Sequence, residues 1–512
     1  MSTDSTTTGE RRPARRPNIV MILTDDHAAH SISAYGSVVN RTPRIDEIAE
    51  SGWRFDSCFV TNSLCSPSRA SILTGTYSHV NGVSTLWTPI DASQPTFISQ
   101  LREAGYKTAM VGKWHMGDGE GRNPQNFDYW DVVLGQGEYW DPRFLSEDGL
   151  RTVEGYATDV ITDLALRWVE SLEGDDPWCV LIYHKAPHRS WEPKEEHRAR
   201  YADPVPVPAT FWDDYETRTA SSRRSAMRIA EQLSTADLKQ DPPEGLSYEE
   251  LAVWKYQRFM QDYLACVESV DENVGRVVDW LRERGDFDDT MLMYASDQGF
   301  FLGDHGWFDK RFMYEESLRM PFVLSYPRKV AAGRTFDGIV TNVDMAQTIL
   351  DAAGVEHHPR MQGRSFWPDL VDEQELPPVE GMYYRYWEHD DAFHKAPAHY
   401  GFRTERYKLI YFYNDGMGLP GSGYYSYPAE WELYDLQTDP EELRNVYDDP
   451  AHAELREQLK AAMWREQARL GDAPHPSQPQ PAGVEDVQVA PPTERPGGPW
   501  RPIGVVGVPL PQ

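Results

Sequence analysis

The sequence predicts an α/β fold: a mostly parallel sheet flanked by helices, followed by a smaller C-terminal α+β domain with an antiparallel sheet. Three observations carry this. Apolar runs of strand length alternate at least four times with segments of helical periodicity. Glycines and cap residues fall between them. Beyond Pro377-Pro378 the alternation gives way to short aromatic-rich runs typical of antiparallel strands.

NIVMIL (residues 18–23) reads as a buried strand, followed by a helix over 44–51 and a strand over 55–60. Residues 96–104 are helical, stopped by Gly105, and lead into a strand over 108–111. A helix over 159–172 feeds a strand over 179–183. The helix over 250–284 lines up Val267, Val270, Val274, Val277, Val278 and Leu281 on one face, and a strand over 291–295 follows. MYYRYW (382–387), YKLIYF (407–412) and WELYDL (431–436) are the C-terminal strands, with a helix over 453–470.

These elements divide the chain into a disordered tail (1–16), a larger domain (17–376), a C-terminal domain (377–472) and a disordered Pro-rich tail (473–512). Eleven prolines lie between Pro474 and Pro511, with few large apolar residues to offset ordering entropy. Residues 189–248 are polar and longer than an ordinary connection, so they read as an insertion forming a rim or lid.

Composition excludes some functions. In 512 residues, 50 Lys+Arg against 81 Asp+Glu leave a net charge of −31, which repels nucleic acid and anionic membranes. An anionic substrate must therefore meet a locally basic pocket. Four cysteines without CxxC spacing give neither a disulfide framework nor a zinc site. Arg11-Arg12 and Arg15-Arg16 precede an apolar run too short for an export signal, and no stretch is long enough to span a bilayer. The expectation is a soluble, cytoplasmic protein.

In open α/β sheets ligands gather beyond the carboxyl ends of the strands. There the sequence places Asp25-Asp26, then Lys113 and His115, then His184 and His188, then Asp297-Gln298-Gly299. Asp25, Asp26, Asp297 and Gln298 offer oxygen alone, which suits calcium, with magnesium second. Either pair alone reads as a cap or loop turn; together they read as a metal site. Adjacent side chains on a strand diverge, so each pair can serve one ion only where its strand ends, and Gly299 permits that turn.

CSPSRASILTG (65–75) predicts a short helix with Pro67 in its first turn, Ser66 or Cys65 as cap and Gly75 as stop. Cys65 would stand at the positive helix end with Arg69 on the same face. A free thiol there would be an activated nucleophile, and an anion would bind well. Cys58, Cys179 and Cys266 read as structural.

This segment resembles the type I sulfatase signature, CxPSR followed by xxxLTG. GKWHMG (112–117), KAPH (185–188), SDQG (296–299) and GDHGWFDK (303–310) agree with it in order, and the resemblance runs from about residue 18 to 449. It implies an alkaline-phosphatase-like fold holding one calcium ion. It further implies that a formylglycine-generating enzyme converts Cys65 to Cα-formylglycine, whose hydrate attacks sulfur and so needs no waiting water.

By the same resemblance Asp25, Asp26, Asp297, Gln298 and residue 65 hold the metal. Arg69 accompanies Cys65, Lys113 and His115 form the pair of GKWHMG, and His188 and Lys310 attend the ester oxygen. Gln298 departs from the commoner Asn. His305 reads as structural or supporting.

The implied activity is release of sulfate from a sulfated carbohydrate, 6-O-sulfated N-acetylglucosamine above all, with His399 and Arg403 as sugar contacts among the aromatics of 383–400. The alternatives are an arylsulfatase, a phosphonate or phosphate ester hydrolase, and a sulfated-glycan binder that keeps its thiol.

Overall fold

The computed structural model describes residues 16–117, 119, 121–371 and 378–487. The N-terminal tail up to residue 15, the acidic approach to Pro377 and the end of the Pro-rich tail from 488 lie outside the described residues.

A ten-stranded sheet forms the larger domain. Across it run Arg334–Phe336, Trp53–Phe55, Phe322–Ser325, Thr290–Ser296, Asn18–Thr24, Trp178–Tyr183, Lys107–Lys113, Tyr129–Val133, Arg143–Ser146 and Gly149–Thr152. The five strands from Thr290–Ser296 to Tyr129–Val133 are mutually parallel. Asn18–Thr24 lies inside this parallel set, between Thr290–Ser296 and Trp178–Tyr183, and is apolar on both faces. Ile19, Met21 and Leu23 enter one core with Ile72, Phe97 and Ile349; Val20 and Ile22 enter the other with Ile161, Val274 and Val277. Helices therefore cover both faces.

The long helix is Tyr248–Arg284, two residues longer at its start than its periodicity showed. Ser247 accepts from the Glu250 N–H while the Glu250 carboxylate accepts from the Ser247 N–H, and Gly285 closes the other end at φ 73°. The expected strand over 55–60 divides into Trp53–Phe55 in the main sheet and Cys58–Phe59, which pairs with Val340–Thr341.

Residues 189–248 are a clamped strap rather than a loose flap. Arg189 makes a bidentate pair with Asp237, Arg198 and Lys239 converge on Asp262 of the long helix, and Thr219 and Ser222 bond Glu432 of the C-terminal sheet.

The C-terminal sheet has four antiparallel strands, Met382–Tyr386, His399–Arg403, Tyr407–Phe412 and Glu430–Asp435, covered by the helix Ala453–Leu470. Tyr384, Tyr386, Ile410, Phe412 and Tyr434 join the core of the larger domain. The strand at His399 escaped the sequence pattern because its polar and charged side chains are buried against the larger domain.

The Pro-rich segment is not a tail along its whole length. Through residue 487 it packs on the C-terminal sheet: Gln478 and Val484 are buried, Tyr400 donates to Gln478, and the Tyr411 hydroxyl meets the Ser477 hydroxyl at 2.8 Å. Side-chain hydrogen bonds to tyrosine hydroxyls of the sheet, absent from a hydrophobicity pattern, hold it there. Among the described residues no helix is long and apolar enough to cross a membrane.

Asp472 opens this segment and pairs with Arg385 at 2.8 Å, both side chains buried. Removing one partner of a buried pair leaves an uncompensated charge. Asp472→Ala is expected to cost about 3 kcal/mol of unfolding free energy in urea titrations; a loss below about 0.5 kcal/mol, the level of a surface substitution, would contradict this.

Candidate active site

The parallel strands end on one rim at Thr24, Lys113, Tyr183 and Ser296, and the sequence-selected side chains follow those ends. Strand ends and a left-handed residue solve the problem of aiming neighbours at one point: Asp26 adopts φ 69°. Gly299 serves differently from expectation. It has no left-handed φ; a Cβ there would lie 2.1 Å from the Glu316 carbonyl oxygen, so glycine is needed for close approach.

Cys65 opens the helix Cys65–Thr74, with Leu64 rather than Ser66 or Cys65 as the cap residue and Gly75 as the stop at φ 61°. Its thiol donates to Asp25 Oδ1 at 3.2 Å. One turn on, the buried Arg69 places Nη2 3.0 Å from Asp25 Oδ2, Nε 2.9 Å from Asp297 Oδ2 and Nη1 2.6 Å from the Lys113 carbonyl. Lys113 pairs with Asp25 and donates to Gln136 Oε1. Lys310 Nζ and Gln298 Nε2 each lie 2.5 Å from Asp26 Oδ1. His188 Nε2 stands 3.7 Å from Asp26 and 3.9 Å from Asp25. His115 is half-buried, held at φ 53°, with Ser66 Oγ 3.4 Å from its Nδ1 and donating to its carbonyl. One compact group thus contains every catalytic and metal residue picked from the sequence.

The two sugar contacts do not join it. Strand alternation turns His399, Gly401 and Arg403 towards the larger domain. His399 is fully buried among the rings of Phe312, Tyr384, Tyr386 and Phe412, and Arg403 makes a bidentate pair with Glu315 beneath the Phe59 ring. Both are buried at the interface between the domains, engaged by neighbouring side chains instead of lining the group around Cys65. His305, buried between Asp213 and Glu316, is structural.

The sequence reading passed over a second cluster. Asp309 and Arg311 flank Lys310 at φ 80° and 88°. Arg311 reaches Glu388 at 3.3 Å and Asp391 at 3.8 Å, and His394 bridges Asp391 and Asp309. Adjacency to Lys310 was the available signal; Glu388, Asp391 and His394 come from another domain and had none.

Electrostatics divide the group. Burial would raise the Asp25 carboxyl, but Lys113 and Arg69 hold it well below the usual range. Burial, only partly offset by Lys310 and reinforced by Asp25, pushes Asp26 up to about 7. Burial and then Asp25 push Asp297 up to about 6. Burial followed by Lys113 keeps His115 and His188 well below the ordinary histidine value. Lys310 is held well above the lysine value against its own burial, chiefly by Asp26.

Cys65 corrects an expectation. Burial and Asp25 push its thiol well up, overriding the helix end and Arg69, so as a thiol it is not an activated nucleophile.

The donor set fits a hard divalent cation. Carboxylate oxygens of Asp25, Asp26 and Asp297 lie within 4.8 Å of one another, and Asp26 Oδ2 and Gln298 Oε1 are buried with no hydrogen-bond partner. Orphaned acceptors of this kind are costly unless something positive claims them.

A family model described as Sulfatase matches residues 17–355, and one described as N-sulphoglucosamine sulphohydrolase, C-terminal, matches residues 303–469. The chain is 40% identical over 510 residues to an N-acetylglucosamine-6-O-sulfatase of Bacteroides thetaiotaomicron, covering 90% of this chain and 88% of the relative. A solved structure of a protein in complex with its substrate D-glucosamine-2-N,6-O-disulfate is similar at TM-score 0.83 and 39% identity, covering 90% of this chain and 99% of the other. The phosphonate monoester hydrolase of Agrobacterium radiobacter shares the fold at TM-score 0.68 and 19% identity, covering 89% and 96%. The architecture is the alkaline-phosphatase-like one expected.

The raised carboxyls make a prediction about stability. Groups whose folded pKa lies above the unfolded value stabilise the chain when protonated, and that contribution is lost as pH rises through the folded pKa. For Asp297 and Asp26 the window runs from about 4 up to about 6 and 7. Chelated protein should therefore lose thermal stability across this range, while calcium-loaded protein should not. The gap in Tm between the two should widen from pH 5 to pH 8; an unchanged gap would remove these carboxylates from cation binding.

Proposed function

The chain belongs to the sulfatase family, and from that premise we propose that it hydrolyses the 6-O-sulfate of N-acetylglucosamine or a similar sugar. The sugar rests on whole-length similarity to the bacterial N-acetylglucosamine-6-O-sulfatase and to the glucosamine-disulfate complex. The catalytic reading rests on one observation above all: Cys65 Sγ touches the same carboxylate that Arg69 and Lys113 hold ionised.

In this reading a formylglycine-generating enzyme modifies Cys65, and Asp25, Asp26, Asp297 and Gln298 hold calcium, with magnesium as second choice. The modified residue would supply a hydrated aldehyde as nucleophile and the cation would supply Lewis acidity. The chain's own residues account for orientation and protons. Arg69 fixes Asp25 and Asp297 in a single rigid fork. Lys113 and Lys310 add positive charge where sulfonyl oxygens must sit.

His115 is neutral and so takes up a proton. His188 is tied through Nδ1 to the Arg189 carbonyl at 2.6 Å, which leaves Nε2 facing the carboxylates as an acceptor. Lys310 carries a proton throughout the physiological range, so of the two groups proposed to attend the ester oxygen it is the one with a proton to give. We also place the enzyme in the cytoplasm, where small imported saccharides are its substrates.

Sulfate release from 6-O-sulfo-N-acetylglucosamine, compared with turnover of a matched phosphonate ester, tests the reaction class; dominant turnover of the phosphorus ester would overturn it. Mass spectrometry across residues 64–69 of active protein should show the formylglycine mass, and a thiol in fully active enzyme would refute the nucleophile. Lys310→Ala should cost about 100-fold or more in kcat on the sugar sulfate. It should cost much less on nitrophenyl sulfate, whose leaving oxygen needs little acid. Equal losses would assign the proton elsewhere.

A further inference from the structure

Four aromatic side chains are more than two-thirds exposed beside the catalytic group: Trp87, Phe393, Tyr424 and Tyr425. Single exposed apolar residues are ordinary, but several on connected loops mark a binding surface. The connections run directly to the site. Trp87 lies on a loop held at three points. Asn62, three residues before Cys65, bonds the Ser84 carbonyl; Ile90 N–H bonds the carbonyl of Met116, next to His115; and Leu86 N–H bonds Glu388, the partner of Arg311 beside Lys310. The loop therefore borders all three arms of the catalytic group.

The other rings border it too. Phe393 sits between Asp391 and His394, whose imidazole reaches Asp309 at 3.3 Å. Tyr424 and Tyr425 lie on a segment joined to His389 by the Gly423 N–H and the Tyr425 carbonyl. This segment meets the Trp87 loop: a Cβ on Gly421 would fall 2.1 Å from Trp87 Cδ1, so the indole edge approaches bare backbone. The contact holds the ring in place while leaving it 68% exposed.

A rim of open rings selects by chemistry. The C–H face of an uncharged sugar packs on an aromatic face, as other apolar groups do. A sulfated ring would need cations instead; Arg311 is committed to Glu388 and Asp391 and Arg385 to Asp472, while Arg224 lies over the Tyr427 ring and Lys395 stands 3.9 Å from Asp390. We propose that Trp87, with Phe393, Tyr424 and Tyr425, forms a second sugar subsite that receives a neutral ring attached to the sulfated one. The substrate is then a sparsely sulfated oligosaccharide rather than a free monosaccharide or a densely sulfated chain. This rests on the sulfated-sugar reading given above.

The test compares KM for sulfate release from three compounds: 6-O-sulfo-N-acetylglucosamine, the same ring linked to galactose, and the same ring linked to a sulfated galactose. The neutral disaccharide should have a KM about tenfold below that of the monosaccharide, and the doubly sulfated one should show no such gain. Trp87→Ala should erase the preference. Tyr424→Ala, at a fully exposed position where truncation opens no cavity, should reduce it independently. Trp212→Ala, at an exposed aromatic of the strap, should leave the ratio unchanged. Equal KM values for monosaccharide and neutral disaccharide, a lower KM for the doubly sulfated compound, or a ratio untouched in both rim variants would overturn the subsite. Sulfate release from none of the three would instead defeat the sulfated-sugar reading.

Discussion

The buried guanidinium of Arg69 is the constraint on which the site depends. Three carboxylates, Asp25, Asp26 and Asp297, meet where water does not reach, and mutual repulsion would scatter or protonate them. Arg69 holds two at once and spends a third donor on the Lys113 carbonyl, so one side chain fastens the ends of three strands to the helix that carries Cys65. A lysine could not do this, because a point charge has no fork to match two carboxylates and a carbonyl in one plane. The spacing of four residues from Cys65 to Arg69 is therefore a requirement of geometry: it puts the reactive position and its anchor on the same helical face.

The charge balance explains why a cation belongs there. With all carboxylates ionised, Arg69, Lys113 and Lys310 oppose Asp25, Asp26 and Asp297, three against three, with both histidines neutral. A pocket with no net charge, set in a chain of net charge −31, has nothing with which to draw in a sulfate ester. Adding one divalent ion makes the same pocket positive by two. The acidity of the carboxylates and the need for an anionic substrate are thus consistent only when oxygen ligands and cation are considered together.

Much of this was legible in the sequence because it lies at the ends of parallel strands. A strand covered on both faces is an unbroken apolar run, its end is the first polar residue, and polar residues there form the site: Asp25, Lys113 and Asp297 all announce themselves in this way. What stayed hidden lacks such a marker. His399 and Arg403 look like exposed polar groups among aromatics, yet their strand turns them inward, where Glu315 and stacked rings satisfy them. Arg311, Glu388, Asp391 and His394 converge from two domains, and a convergence of that kind has no one-dimensional signature. Residues 473–487 have the composition of a tail but find partners in the hydroxyls of Tyr400 and Tyr411. In each case a polar side chain that carries no apolar pattern has a specific partner elsewhere in the chain.

The same partners explain why the smaller domain cannot be separated from the site. Asp26, His115, Asp309 and Arg311 all hold left-handed backbone conformations, each costing of order 1–3 kcal/mol for a residue with a side chain. Such conformations persist only where the surroundings over-determine them. For Asp309 and Arg311 those surroundings are Glu388, Asp391 and His394, supplied by the loop that leaves the first strand of the C-terminal sheet. The sheet itself is buried against Phe312 and Tyr314, just beyond Lys310. Lys310 thus lies on a strained segment whose geometry is fixed from the neighbouring domain. Packing between the domains and the position of Lys310 are one problem with one solution.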